Sequence, residues 1–241
     1  MTQQPYHDRY LALLHIQLYC LPIGVRMQMR TGEGQWYWRT EEDWPVPGTE
    51  YVKFHLAVDG RVSFISDAFE EDVELAGHFS TTLNILSTSH DADVVILLWA
   101  VDESGNVVRF CVDPRAQPLA NGFLRASHRS LDPSKSPPYR PWHTHKEAGY
   151  TPLIPGEAVE ICVEISPATS CIRRGWKLRL EITPSEVQPN IPGYELRKLR
   201  SWGKESHDGA TNTVHVGGDY DSFISILVIP KKYPQDNPLR S

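Results

Sequence analysis

Several features that would announce a function are missing from this sequence. The four cysteines, Cys20, Cys111, Cys162 and Cys171, are widely and irregularly spaced with no C-x-x-C pair, so reduced structural thiols are expected rather than zinc or redox chemistry. There is no N-x-[ST] acceptor. The apolar stretch Leu11 to Gly24 carries His15 and Gln17 and is too short to span a bilayer. Basic charge is also in short supply, with 24 Lys and Arg against 30 Asp and Glu and a net charge of -6. That balance provides no field for nucleic acid or anionic lipid, so neither a nucleic-acid nor a membrane partner is expected, and the expected location is cytoplasmic. No cofactor motif is read.

What is present is alternation. With 241 residues and 40% apolar content the chain can bury a substantial core, and all-β chains of this length commonly form one unit. Val25, Met27 and Met29 alternate with Arg26, Gln28 and Arg30, and Gly32-Glu33-Gly34 turns the chain into Gln35-Trp36-Tyr37-Trp38-Arg39, which predicts a hairpin. Trp44 to Thr49 is turn chemistry, and Val52, Phe54, Leu56 and Val58 share one strand face up to Asp59-Gly60. Alternation continues through Val73 to Leu86, a buried run at Val94 to Val101, a turn at Ser104-Gly105-Asn106 and a strand at Val107 to Val112. Val159 to Ile165, Leu178 to Ile182 and Phe223 to Ile229 complete the set. About ten strands with almost no helix imply two packed antiparallel sheets, an all-β sandwich. The expected domain is 25–230, with 1–24 unassigned and 231–241 a loose tail. Within 1–24, Tyr10 to Leu21 is compatible with a short buried helix; a signal peptide fits less well, because its leading region has little net positive charge.

One stretch breaks the strand rhythm. Asn121 to His145 holds three arginines, three histidines and four prolines. Leu124 to Arg129 begins as a strand and feeds a Pro-rich segment that can be neither helix nor a full ladder. On such a strand Arg125 and Arg129 would share one face and offer two guanidinium forks. Together with His128, Trp142, His143 and His145 they form a candidate docking face, the alternative being that these side chains close the loop onto their own sandwich. His143-x-His145, with His128 or His215, could suggest a metal, but no carboxylate or thiol has ligand spacing with the pair, and none is assigned. Ser127, His128 and Asp132 resemble triad parts only in composition, because strand neighbours point to opposite faces. Asp91-Ala92-Asp93 reads as turn chemistry rather than a calcium loop. Trp36 and Trp38 share a face that could line a sugar or peptide groove, and at least one of them is expected in the core.

The blocks Leu124 to Asp132, Pro141-x-His143-Thr144-His145, Pro152 to Glu157, Lys177 to Ile182 and Asn212 to Gly218 resemble the C-terminal domain of the Xaa-Pro dipeptidyl-peptidase and CocE/NonD serine hydrolases. The resemblance also takes in Trp36 to Pro47 and Phe69 to Gly77, so it covers roughly Val25 to Pro230. It implies a jelly-roll β-sandwich, similar to galactose-binding-like domains. It implies as well an α/β-hydrolase partner domain whose G-x-S-x-G nucleophile elbow is not found in this sequence. The expected function is therefore a noncatalytic domain that packs on a hydrolase core and shapes its cleft, with no catalytic residue of its own. The alternatives are a part of a complete dipeptidyl-peptidase or acyl-ester hydrolase, and a stand-alone carbohydrate- or protein-binding module. Self-association is the alternative to the hydrolase partner.

Overall fold

The computed structural model describes residues 18–20, 25–32, 34–55, 63–110, 118–137, 140–183 and 210–230. Its strands are β1 (Leu18–Cys20), β2 (Val25–Gly32), β3 (Gln35–Glu41), β4 (Glu50–His55), β5 (Ser63–Ile65) and β6 (Val73–Ser87). They continue with β7 (Asp93–Val101), β8 (Ala120–Arg125), β9 (Ala158–Ile172), β10 (Lys177–Thr183), β11 (Asn212–His215) and β12 (Phe223–Ile229). The helical structure among the described residues is two 3-10 turns, Ala126–His128 and Glu147–Gly149.

The strands follow the order β4-β12-β6-β9-β8-β7-β10-β5. Almost all neighbours are antiparallel; β2 touches β9 in parallel through the single pair Arg30↔Ser170. Between β8 and β9 the ladder narrows to one pair, Gly122↔Ile165. There the sheet folds over, so that β4-β12-β6-β9 faces β8-β7-β10-β5. The two apolar faces meet in one core, with Leu75, Phe79 and Leu83 of β6 and Ile161, Val163 and Ile165 of β9 on one side. Ile96 and Leu98 of β7 and Leu178 and Leu180 of β10 lie on the other. This follows from the period-2 pattern, since β9 buries its odd positions while Cys162 and Glu164 lie on the outer face. Each such side chain removed from water contributes about 1.5–3 kcal/mol relative to exposure.

Two glycines fit the layers together. Gly122 lies against β9, where a Cβ would come within 2.3 Å of the Glu164 carbonyl oxygen. Gly77 sits at the bulge between β6 and β9 with φ 146, and a Cβ there would meet Leu227 at 2.5 Å.

A second, smaller core lies under the β2–β3 hairpin and gathers Met27, Met29, Tyr37, Val46, Ala76, Cys171 and Ile229. A polar knot is buried beside it. The Tyr37 hydroxyl and the Arg39 guanidinium both donate to the Glu74 carboxylate, and Arg39 Nε donates to Glu41. Burial, reinforced by the hydrogen bond to Glu74, pushes the Tyr37 hydroxyl above the usual phenol range.

The structure corrects four expectations. The strand entering the Pro-rich loop stops at Arg125, and Ala126–His128 is a 3-10 turn. Val107 to Phe110 makes one bridge, Val101↔Val107, and no ladder, although Val108 and Phe110 are buried. There the alternation records burial without strand pairing; residues 111 and 112 lie outside the described residues. Neither tryptophan of the hairpin is in the core: Tyr37 points inward, while Trp36 is 48% exposed and Trp38 half-buried. Leu18–Cys20, the described end of the apolar stretch read as a possible helix, is a strand paired with β2. The remainder of 1–24, the turn at Asp59-Gly60 and the tail 231–241 lie outside the described residues.

Candidate docking face

The face is assembled where β8 gives way to the loop. Asp91 sets this point, because its carboxylate accepts the Ser127 backbone N–H at 2.9 Å and the Ser127 hydroxyl at 2.6 Å, together with the Ala92 N–H at 2.9 Å. Three donors on one buried carboxylate pull the chain out of the extended conformation and into the 3-10 turn. Two residues along, Asp93 receives Arg125 in a two-pronged contact, Nε to Oδ1 at 2.9 Å and Nη2 to Oδ2 at 3.1 Å. The Asp93 hydrogen bond, against a smaller opposing cost of burial, holds the Arg125 guanidinium more firmly protonated than usual. The D-x-D motif thus anchors the loop.

Beyond the turn the loop pairs with itself. Leu131 bridges His143, the Asp132 N–H donates to the Trp142 carbonyl at 2.8 Å, and the Thr144 N–H to the Ser130 carbonyl at 2.9 Å. Asp132 caps the intervening turn by accepting the Ser134 hydroxyl at 2.6 Å. That hydrogen bond keeps its carboxyl below the usual carboxylate range. Arg129 donates to the backbone carbonyls of Ala126 and Thr151. The loop also lies on the outer face of β9. Arg140 stacks on Trp142, 4.6 Å from the ring centre, and donates to Glu164 at 2.6 Å. Glu164 also faces His78 of β6 at 3.4 Å. Burial would raise the Glu164 carboxyl, but His78 and Arg140 together outweigh it, and the group is held below its usual range.

The three histidines of the loop do come together. The His143 and His145 rings are 5.7 Å apart and the His145 and His128 rings 6.2 Å, while His128 meets Tyr150 edge-on at 5.6 Å. His215 is not among them, being stacked on Tyr220 at 4.6 Å. Among the described residues no group of three or more His, Cys, Asp or Glu is arranged to hold a metal ion. Ser127 and His128 form no relay either, since the Ser127 hydroxyl is committed to Asp91.

The six candidate residues therefore divide. His143 is buried, Arg125 and Arg129 spend guanidinium donors on their own domain, Trp142 and His128 are half-buried, and His145 is exposed. Tyr150, 50% exposed and edge-on to His128, and Ile154, 59% exposed and four residues further along, are large exposed side chains not picked out in the sequence. Both follow the histidines at once and are large apolar residues in a segment without strand alternation, which is the feature that could have marked them. Among the described residues no helix is long and apolar enough to cross a membrane.

Residues 57–225 match the family described as the X-Pro dipeptidyl-peptidase C-terminal non-catalytic domain. A Mycobacterium bovis protein bearing the name of a serine esterase is 30% identical over 129 residues, which is 52% of this chain and 19% of that protein; a Mycobacterium tuberculosis protein of like name matches equally. The crystal structure of a CocE/NonD family hydrolase from Staphylococcus aureus superposes with a TM-score of 0.71 at 24% identity, over 84% of this chain and 41% of that one. An aminopeptidase from a marine sediment Thaumarchaeota archaeon follows with a TM-score of 0.57 at 14% identity, over 80% and 39% of the two chains. The chain thus spans about a fifth of the length of the curated relatives it matches. On the extent of the family match and the sandwich it corresponds to, this chain belongs to the X-Pro dipeptidyl-peptidase C-terminal non-catalytic domain family.

Proposed function

We propose that this chain is the accessory sandwich of a serine hydrolase, with residues 25–230 as the domain, and that it packs on an α/β-hydrolase domain that carries the chemistry. The observation that carries this reading is coverage: the chain matches most of its own length to about two fifths of a structure named as a hydrolase, which leaves the larger part of that protein for something else. The docking face is the rim of the loop, with His145, Tyr150 and Ile154 outward and His128, Arg129 and Trp142 behind them. Arg125 and His143 position that rim from beneath. Large apolar side chains on a backbone pinned by Asp91, Asp93 and Glu164 suit a rigid interface, because little side-chain freedom is left to lose on binding. The Cys162 thiol, outside any disulfide, fits a reducing, cytoplasmic setting.

The test is sedimentation of the purified chain with the separately expressed α/β-hydrolase portion of its parent protein. Tyr150→Ala and Ile154→Ala should each weaken the complex about tenfold or more while leaving the melting temperature unchanged. The chain by itself should turn over neither Xaa-Pro-nitroanilides nor p-nitrophenyl esters. A complex indifferent to both substitutions places the interface elsewhere, and esterase activity labelled on a serine of this chain by a fluorophosphonate defeats the accessory reading.

A further inference from the structure

We propose that the pairing of residues 130–132 with 142–144 is an acid-sensitive latch, shut on the outer face of β9 while His143 is neutral and released when that imidazole takes up a proton. This is a property of the chain itself and does not depend on the docking reading. His143 is buried, and its Nε2 has no hydrogen-bond partner among the described atoms. An unpartnered ring nitrogen away from water is tolerable as a neutral acceptor, but as an N–H⁺ donor with nothing to receive it the same atom is costly.

The surroundings of the ring decide the sign. From its own loop it faces His145, whose ring lies 5.7 Å away, and beyond that His128 of the 3-10 turn, which is backed by Tyr150. Positive charge at His145 raises the cost of a proton on His143. From β9 it meets the Cys162 backbone and, at longer range, the Glu164 carboxylate, both of which favour the charged ring. Glu164 is already engaged by Arg140 of the same loop at 2.6 Å and by His78 of β6 at 3.4 Å, so its charge is largely answered. Burial dominates, and it pushes His143 below the ordinary histidine value of 6.5. A histidine depressed in the folded state takes up fewer protons than in the open state. The closed form is therefore fully favoured above the ordinary value and loses that advantage as pH falls below it.

The strain is in the same place. His145 holds a left-handed backbone at φ 48, the single non-glycine residue with positive φ among those described. Such a conformation persists only where its surroundings enforce it, and here they are the pairing of the Thr144 N–H with Ser130 and the packing of the neighbouring ring. Opening the latch would relieve His145, solvate His143 and uncover Cys162 and Glu164 together.

Hydrogen exchange of the full chain at about pH 7.5 and about pH 5.5, corrected for the intrinsic pH dependence of exchange, tests this. The reporters are the Asp132 and Thr144 amides; the control is the β9 ladder. We expect loop protection to fall by up to about tenfold at the lower pH while β9 holds, and His143→Phe to abolish the difference. If the phenylalanine variant loses β9 protection and so fails to fold, His145→Asn carries the test, because asparagine accepts a positive φ and removes the neighbouring charge. Its loop should then open only at lower pH than in the parent. Equal loop protection at the two pH values, or an undiminished acid response in whichever variant folds, overturns the latch.

Discussion

Arg39→Met tests what holds the β2–β3 hairpin to the body of the sandwich. The backbone contributes little to that joint, since β2 meets β9 through one pair. The side chains supply the rest, through the small Met27, Met29 and Tyr37 core and the knot in which Arg39 bridges Glu41 and Glu74. Arg39 is 4% exposed and Glu74 1%, so the knot is not a surface ion pair screened by water. Removing the cation leaves two buried carboxylates near one another without the guanidinium that bridged them. Losing one partner of a buried pair costs about 3–5 kcal/mol. In a chain of this size that lowers the melting temperature by roughly 6–20 °C, at about 2–4 °C per kcal/mol. Thermal unfolding followed by circular dichroism reads the shift. Glu74→Gln keeps an acceptor for Tyr37 and removes one charge, so the double variant Arg39→Met/Glu74→Gln should lose less than the sum of the single variants. A melt within about 2 °C of the parent for Arg39→Met refutes the reasoning, because the knot would then be worth no more than an exposed pair.

Asp91→Ala removes the acceptor of three hydrogen bonds at the mouth of the loop and should cost about 2–4 kcal/mol. Cleavage by protease within 130–145 should accelerate ahead of global unfolding. Gly122→Ala places a methyl 2.3 Å from a backbone oxygen of β9 that cannot rotate away, so it should lower stability by about 1–3 kcal/mol or more in a denaturant melt. Arg140→Gln bears on pH. With the Glu164 carboxyl held below its usual value of 4.5, the unfolded chain takes up the proton first as pH falls. The contribution is therefore present above that value and lost below it. Removing Arg140 should flatten this acid limb by less than about 1 kcal/mol, the pair being partly exposed. A limb identical to the parent's would show the pair to be silent.

The strands were legible because period 2 is a local property: Met27 and Met29, Val163 and Ile165, and Leu178 and Leu180 each mark a buried face without reference to anything distant. Three consecutive aromatics carry no such parity, so Trp36-Tyr37-Trp38 by itself does not say which ring faces inward. The missing information was across the turn. Met29 pairs directly with Tyr37, and residues opposite one another in an antiparallel pair point the same way, so the methionine face carried over the hairpin places the tyrosine inward. The 3-10 turn at Ala126–His128 was out of reach for another reason. It is imposed by Asp91, 36 residues earlier, through hydrogen bonds that leave no trace in the local pattern.

The arginines of the loop raise the same issue of bookkeeping. Proline has no N–H, so a segment with Pro133, Pro137, Pro138 and Pro141 contributes carbonyls without a matching number of backbone donors. Nearby carbonyls must then find donors in side chains. Arg129 supplies two, to Ala126 and Thr151, and Ser130 supplies another to Gly149 at 2.7 Å. Arginine density in a proline-rich loop therefore reads in two ways, as a face prepared for carboxylates on a partner and as internal donors for carbonyls that proline leaves unmatched. In this loop Arg125 and Arg140 each meet a carboxylate of their own domain and Arg129 meets carbonyls, so the guanidiniums fix the shape of the loop. The exposed large side chains of this segment are apolar and aromatic, Tyr150 against His128 and Ile154 further along, and recognition through them would depend on packing more than on charge.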